Sequence, residues 1–446
     1  MNLRIAIYVS LVCLAVTGTA WGQVTVPTGP DVVVGYQGLP SKTAPASASG
    51  VQVSESALLH IGVGVEAGYD SNVFYSDTDA RGSAITRVVP FLELTNAGRA
   101  GTIPAGLFFD LGAALTYREY LSNDALIRDQ RAFMPTAYAN LEVGRFQTVG
   151  FAVGDTFART EDPPYLNVQS LQPITRDVNQ ALASARWAPG GGRLAAVLSY
   201  TNTIDAFETD NLRIANSMAN LLTLDTSWKW LPKTALVLQI SQGYTTYFNT
   251  DPTTGATKPT SFPFHVMAGL RGLITAKLAV NLTAGYMNAF YDLPPDPNRI
   301  APSGFQGNFS AMVDLVYRPT ILTSINAGYR RDLQNAILGD FYYLDAVYLN
   351  VGQAIAGRLG LGLSVRYESR SFQNIRLPST NTFISRHDNY WQAGANLDYH
   401  IRDWTYAGVA YTLLSNGSDY EQQAAEDPGR VNYVKQLVFA RLGVTY

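Results

Sequence analysis

Four histidines, one cysteine and scattered carboxylates are the side chains on which acid–base, nucleophilic or metal chemistry would have to rest in this chain. His60, His265, His387 and His400 fall in no HxxxH or HExxH spacing, and there is no glycine-rich phosphate loop or nucleophile elbow. The closest approach to a triad is Ser385 with His387 and Asp388. Neighbours on an extended strand point to opposite faces, so His387 and Asp388 cannot both serve one substrate. The run Asp70-Ser-Asn-Val-Phe-Tyr-Ser-Asp-Thr-Asp79 has oxygen donors enough for calcium, but Asp, Asn and Ser in a polar connection more commonly bond their own backbone in Asx-type turns. The sequence therefore predicts a non-enzyme with no catalytic residues, cofactor or metal.

Charge recurs instead in alternation with apolar residues. Over 105–120, Leu107, Phe109, Leu111, Ala113, Leu115 and Tyr117 share one parity, and Asp110, Gly112, Thr116 and Arg118 share the other. Over 358–372, Leu359, Leu361, Leu363, Val365 and Tyr367 alternate with Ser364, Arg366, Glu368 and Arg370. On a β-strand such parity separates two faces, one suited to lipid and one to water. By the same reading Arg186, Asp225, Lys229, Asp314, Asn326, Arg330, Asp332, Asn396, Asp398 and Arg441 line a hydrated interior. Arg366, Glu368 and Arg370 are expected to face Arg330 and Asp332 across a constriction. Charge reversal at Arg366 or Asp398 should then alter ion selectivity and leave folding nearly untouched.

The elements that hold these faces are short and numerous. From residue 58 to the end, two-residue alternation returns in about 18 segments of roughly 10 to 16 residues, separated by Gly, Pro, Asn and Asp clusters. Connections alternate between short ones, such as Gly144-Arg145, Leu231-Pro232 and Arg318-Pro319, and long ones, such as 70–82, 160–176 and 416–431. Sorting turns to one side and loops to the other is the habit of an up-and-down transmembrane barrel. The connection Asn96 to Pro104 is long on the short-turn side and breaks the rule. Tyr117, Tyr286, Tyr329, Tyr367, Trp187, Trp228, Trp230, Tyr317, Tyr399 and Trp404 fall near strand ends, where interfacial aromatic girdles sit. A closed sheet of 18 strands would be roughly 35 Å across, too wide for side chains alone to fill.

Both termini fit this class. Arg4, the apolar stretch Ile5 to Val16 and the small-x-small Ala20-Trp-Gly22 read as a removable signal peptide over 1–22, too short to be a membrane anchor. Cys13 lies inside it, so the mature chain has no thiol or disulfide. Residues 23–57 lack a clear period and are expected to be a flexible periplasmic segment, leaving 58–446 for the barrel. The chain closes on Tyr446 with Val444 and Leu442 on the same parity, an aromatic-ended assembly signal for the barrel assembly machinery. Without Arg4, 31 basic residues stand against 35 acidic ones, which argues against a nucleic-acid partner.

The opening hairpin resembles that of a family of outer-membrane β-barrels, porin-like in architecture, found with exopolysaccharide assembly machinery. There the first strand ends in a Tyr-Asp-Ser/Asp-Asn-hydrophobic-aromatic signature and the return strand carries a hydrophobic-x-Pro-x-hydrophobic pattern. Tyr69, Asp70, Asn72, Val73, Phe74 and Pro90 occupy those places, and the likeness covers about 30 residues. The resemblance implies a Gram-negative outer-membrane channel of about 18 strands, embedded in outer-membrane lipid with extracellular loops, linked in some members to polysaccharide secretion and periplasmic export components. Three functions are open: a pore for exopolysaccharide export, a diffusion porin for small hydrophilic solutes or sugars, and a non-conducting structural or adhesive barrel.

Overall fold

The computed structural model describes residues 50–54, 57–97, 104, 106–161, 174–250, 255, 257–293, 299–302, 307–337, 339–376, 382–419 and 432–446; the expected signal peptide lies outside them. In chain order the strands are β1 Val51–Ser54, β2 Ala57–Asp70, β3 Ser83–Thr95, β4 Leu107–Leu121, β5 Ala132–Val143, β6 Val149–Thr160, β7 Arg176–Trp187, β8 Leu194–Phe207, β9 Ser217–Leu231 and β10 Thr234–Tyr247. They continue as β11 Phe264–Leu273, β12 Leu278–Asn288, β13 Phe309–Thr320, β14 Thr323–Asn335, β15 Phe341–Ile355, β16 Leu359–Arg376, β17 Phe383–Arg402, β18 Thr405–Ser418 and β19 Tyr433–Thr445.

From β2 onward each strand pairs antiparallel with the next, and β19 returns to β2 from Leu437↔Asp70 to Thr445↔Gly62. The sheet is thus a closed antiparallel barrel of 18 strands with no open edge. Tyr446 and Ile61 exchange backbone hydrogen bonds of 2.8 and 3.0 Å, so the terminal residue closes the seam. Beyond it β1 takes the vacated edge of β2, pairing Val51↔Leu59 and Gln52↔Leu58. These four residues fall inside the stretch expected to be a linker; their alternation is too short to register as a strand.

Exposure follows parity. Along β19 burial alternates residue by residue, with Val434, Val438, Leu442 and Tyr446 exposed on the outside. Large apolar side chains are exposed all round the outer wall, among them Leu107, Leu115, Leu198, Leu236, Leu282, Leu315, Leu363 and Val409. Trp187, Trp228, Trp230, Tyr317 and Tyr399 sit outward near the strand ends joined by short turns; Tyr117, Tyr367 and Trp391 sit outward toward the other end. Tyr367 packs on Trp391 at 4.6 Å and Tyr117 on Phe133 at 4.7 Å between centroids, both pairs tilted, at 44° and 37°.

Short connections at 144–148, 188–193, 232–233, 274–277, 321–322, 356–358 and 403–404 define a turn end; the connections at the loop end are mostly longer. The 96–106 connection lies at the turn end, where the Asn96 side chain accepts from Phe109 N (2.8 Å) and donates to Leu107 O (2.7 Å), extending the β3–β4 ladder. In the β15–β16 hairpin, Ala356 (φ 50°) and Gly357 (φ 72°) are both left-handed, the primed turn that matches strand twist. The β14–β15 and β16–β17 connections, 336–340 and 377–382, are the short exceptions at the loop end.

The barrel interior as candidate functional site

Two halves of the interior differ. Toward the loop end the described parts of several connections pack against the wall and bury it. Asp70 begins this packing: its carboxylate accepts from Asn72 N (3.0 Å) and the Tyr120 hydroxyl (2.9 Å) and pairs with Lys435 Nζ at 2.8 Å, all out of solvent. The Asn72 amide donates to Ser76 O (2.7 Å) and Val434 O (3.1 Å) and accepts from Ser76 N (2.8 Å). This Asx turn drives Val73 and Phe74 into an apolar cluster with Ile85, Tyr120, Ile127, Leu437 and Phe439. The hairpin motif is therefore a knot tying the first loop to the closing strand. Its remaining members, Tyr69 and Pro90, face outward.

The charged positions read as a wet lining face inward, and several are sealed. Glu368 is fully buried between Arg366 and Arg370, and Arg370 stacks 4.6 Å over the Tyr390 ring. Asp332 holds Arg330 and His265 Nε2, the latter at 3.0 Å. Arg118 is 1% exposed and donates to Gln130 O at 3.0 and 3.2 Å. Burial of this kind demands paired charges, and the pairing supplies them. The expected constriction of Arg366, Glu368 and Arg370 against Arg330 and Asp332 is not formed. Asp332, Leu344, Arg370 and Asp388 are register partners along one row, so those groups are wall neighbours two strands apart. Parity fixes a face, not a position round the ring.

The remaining candidates spread over the wall. Asp398 takes a bidentate Arg441 contact (2.8 and 2.6 Å) and an Asn396 hydrogen bond (2.9 Å). Asp225 lies 3.7 Å from Arg271, and Arg186 donates to Arg145 O and Gln147 O at the turn end. Lys229 is exposed at that end, and Asp314 accepts from Asn281 (3.4 Å) and the Tyr348 hydroxyl. Asp110 accepts from the Tyr138 hydroxyl at 3.4 Å. Of the Ser385–His387–Asp388 set, His387 faces outward against Ser371 and Asp388 faces inward against Arg386, so no triad assembles. Among the described residues no group of three His, Cys, Asp or Glu side chains has metal-binding geometry.

Sequence reasoning missed a repeated inward arrangement. Tyr138, Tyr348 and Tyr406 are the direct register partners of Gly112, Gly328 and Gly443, and each ring lies over its glycine so closely that a β-carbon there would collide with it. One ring face thus rests on backbone, leaving the half-buried tyrosine to present its other side inward. The alternating pattern carried each Tyr and each Gly; only the cross-strand register pairs them.

No family model matches this chain, and no curated protein matches it either. Solved structures do. The siderophore receptor PirA from Acinetobacter baumannii is 8% identical with a TM-score of 0.44, covering 87% of this chain and 80% of that one. Pseudomonas aeruginosa OccK3 (OpdO) is 13% identical with a TM-score of 0.41, over 87% and 95%. Pseudomonas aeruginosa OpdQ is 12% identical with a TM-score of 0.41, over 87% and 97%.

Proposed function

We propose that this chain is an outer-membrane channel for hydrophilic saccharide, with passage of exopolysaccharide as its best reading. A closed barrel satisfies every strand's backbone polar groups, and its outer wall is apolar between aromatic-rich ends; both are what a bilayer requires. The observation that carries the saccharide reading is the set of inward tyrosines laid on glycines. A pyranose has one apolar C–H face and a rim of hydroxyls; flat rings supply the stacking partner, and the neighbouring Asp110 and Asp314 supply acceptors. Contacts of this sort are individually weak, which suits transit over capture.

A second reading, a diffusion porin for small solutes, is favoured by the packed loop-end half, which narrows the passage a polymer would need. Planar-bilayer recording separates the two. Defined oligosaccharides added at the turn end should produce transient current blockades. Tyr138→Ala should shorten them two- to tenfold, the equivalent of about 0.4–1.4 kcal/mol of lost stacking, while Tyr138→Phe, which keeps the ring, should not. Steady ionic current with no blockade by any oligosaccharide would leave the porin reading; no current at all would refute both.

A further inference from the structure

The connections at the loop end are not independent. Lys258, in the β10–β11 connection, directs its ammonium into three carbonyls of the β14–β15 turn, at 2.7 Å from Ala336 O and 3.0 Å from Ile337 O, with Gly339 O as the third. Asp340 of the same turn takes both guanidinium nitrogens of Arg299 at 3.0 Å, from the β12–β13 connection. Between these anchors Ile337 packs on a buried cluster of Ile174, Phe207, Leu212 and Ala215, contributed by β8 and its flanking connections. β8 and β14 stand six strands apart in a ring of 18, a third of the circumference. Strands that far apart touch only where their connections reach toward each other, so Ile337 and the β8-flanking connections meet over the loop end of the barrel.

We propose that the β14–β15 turn and the β8-flanking connections form a gate over the loop-end mouth, latched by the Lys258 ammonium in its carbonyl cage and seated by Ile337 against the apolar cluster beside β8. This rests on the channel reading and adds regulation to it. The latch is reversible by construction: a lysine held by neutral carbonyls makes three directional hydrogen bonds and no covalent or carboxylate contact. The Tyr247 ring lies 5.3 Å from Nζ and adds a cation–π contact.

The gate is tested on purified full-length protein in planar bilayers, with heat-modifiable electrophoretic migration to certify folding. Lys258→Met should raise mean conductance or open time at least twofold at pH 7.5, and Ile337→Asp, which acts at the other anchor, should do the same. The described residues contain no cysteine, so Ala215→Cys with Ile337→Cys can be joined by a short thiol crosslinker; joining should lower conductance and cleavage restore it. Folded wild type, both single variants and the tethered pair all passing the same current would overturn the gate and leave the channel standing. Absence of current in all of them would overturn both.

Discussion

Asp70 is fully buried, and Lys435, Tyr120 and Asn72 N are what make that tolerable. Removing one partner of a buried ion pair costs about 3–5 kcal/mol, because the other is left charged in a dry site. Asp70→Asn should destabilise the barrel by about that much, read as a lower urea midpoint, whereas Tyr69→Phe on the outer wall should be nearly silent. Lys229 and Asp398 separate in the same way. Lys229 is exposed at the turn end, so Lys229→Glu should shift ion selectivity in bilayer recordings of a folded protein, whereas Arg366→Glu would set a like charge against the fully buried Glu368 and cost stability first. Asp398 is buried with Arg441 and Asn396 converging on it, and Asp398→Arg should fail in assembly first, contrary to what alternation alone suggests. The sequence showed which way each of these side chains points; how deeply loops bury them depends on chain folded back from tens of residues away.

At the scale of elements, period-two patterning was enough to place the strands: 83–95 and 341–355 were legible almost to the residue, because one face must be apolar and the other polar along the whole length. The exposed Leu363 lies on the outer face of β16, so Leu363→Arg should cost about 2–4 kcal/mol of stability in bilayers if that level is mid-membrane; an unchanged folding midpoint would place that wall elsewhere. Turns carry a smaller effect. Ala356 holds a left-handed conformation that Asn adopts more readily, and Ala356→Asn should stabilise by up to about 1 kcal/mol. What alternation could not show was anything without a period: β1, whose four residues give two repeats, and the Lys258 and Ile337 contacts, which join irregular segments. The tyrosine-on-glycine pairs needed the register, which hydrophobic pattern constrains only to within an even shift.

Taken whole, the molecule is a closed ring of 18 strands whose two ends are finished differently. The turn end carries mostly short connections, with Tyr138 and Tyr348 at mid-height and Tyr406 near that end, while the loop end is packed by the Asp70 knot, the Glu368 pairs and the β14–β15 turn. Polymer export asks that the loop end open; small-solute diffusion asks only that it leak. The most direct measurement is single-channel current through refolded protein in a planar bilayer, with oligosaccharide then added at the turn end. The account predicts a finite ionic conductance interrupted by saccharide blockades that depend on the Tyr138 ring. A correctly folded barrel that passes no ions under any voltage or pH would contradict it.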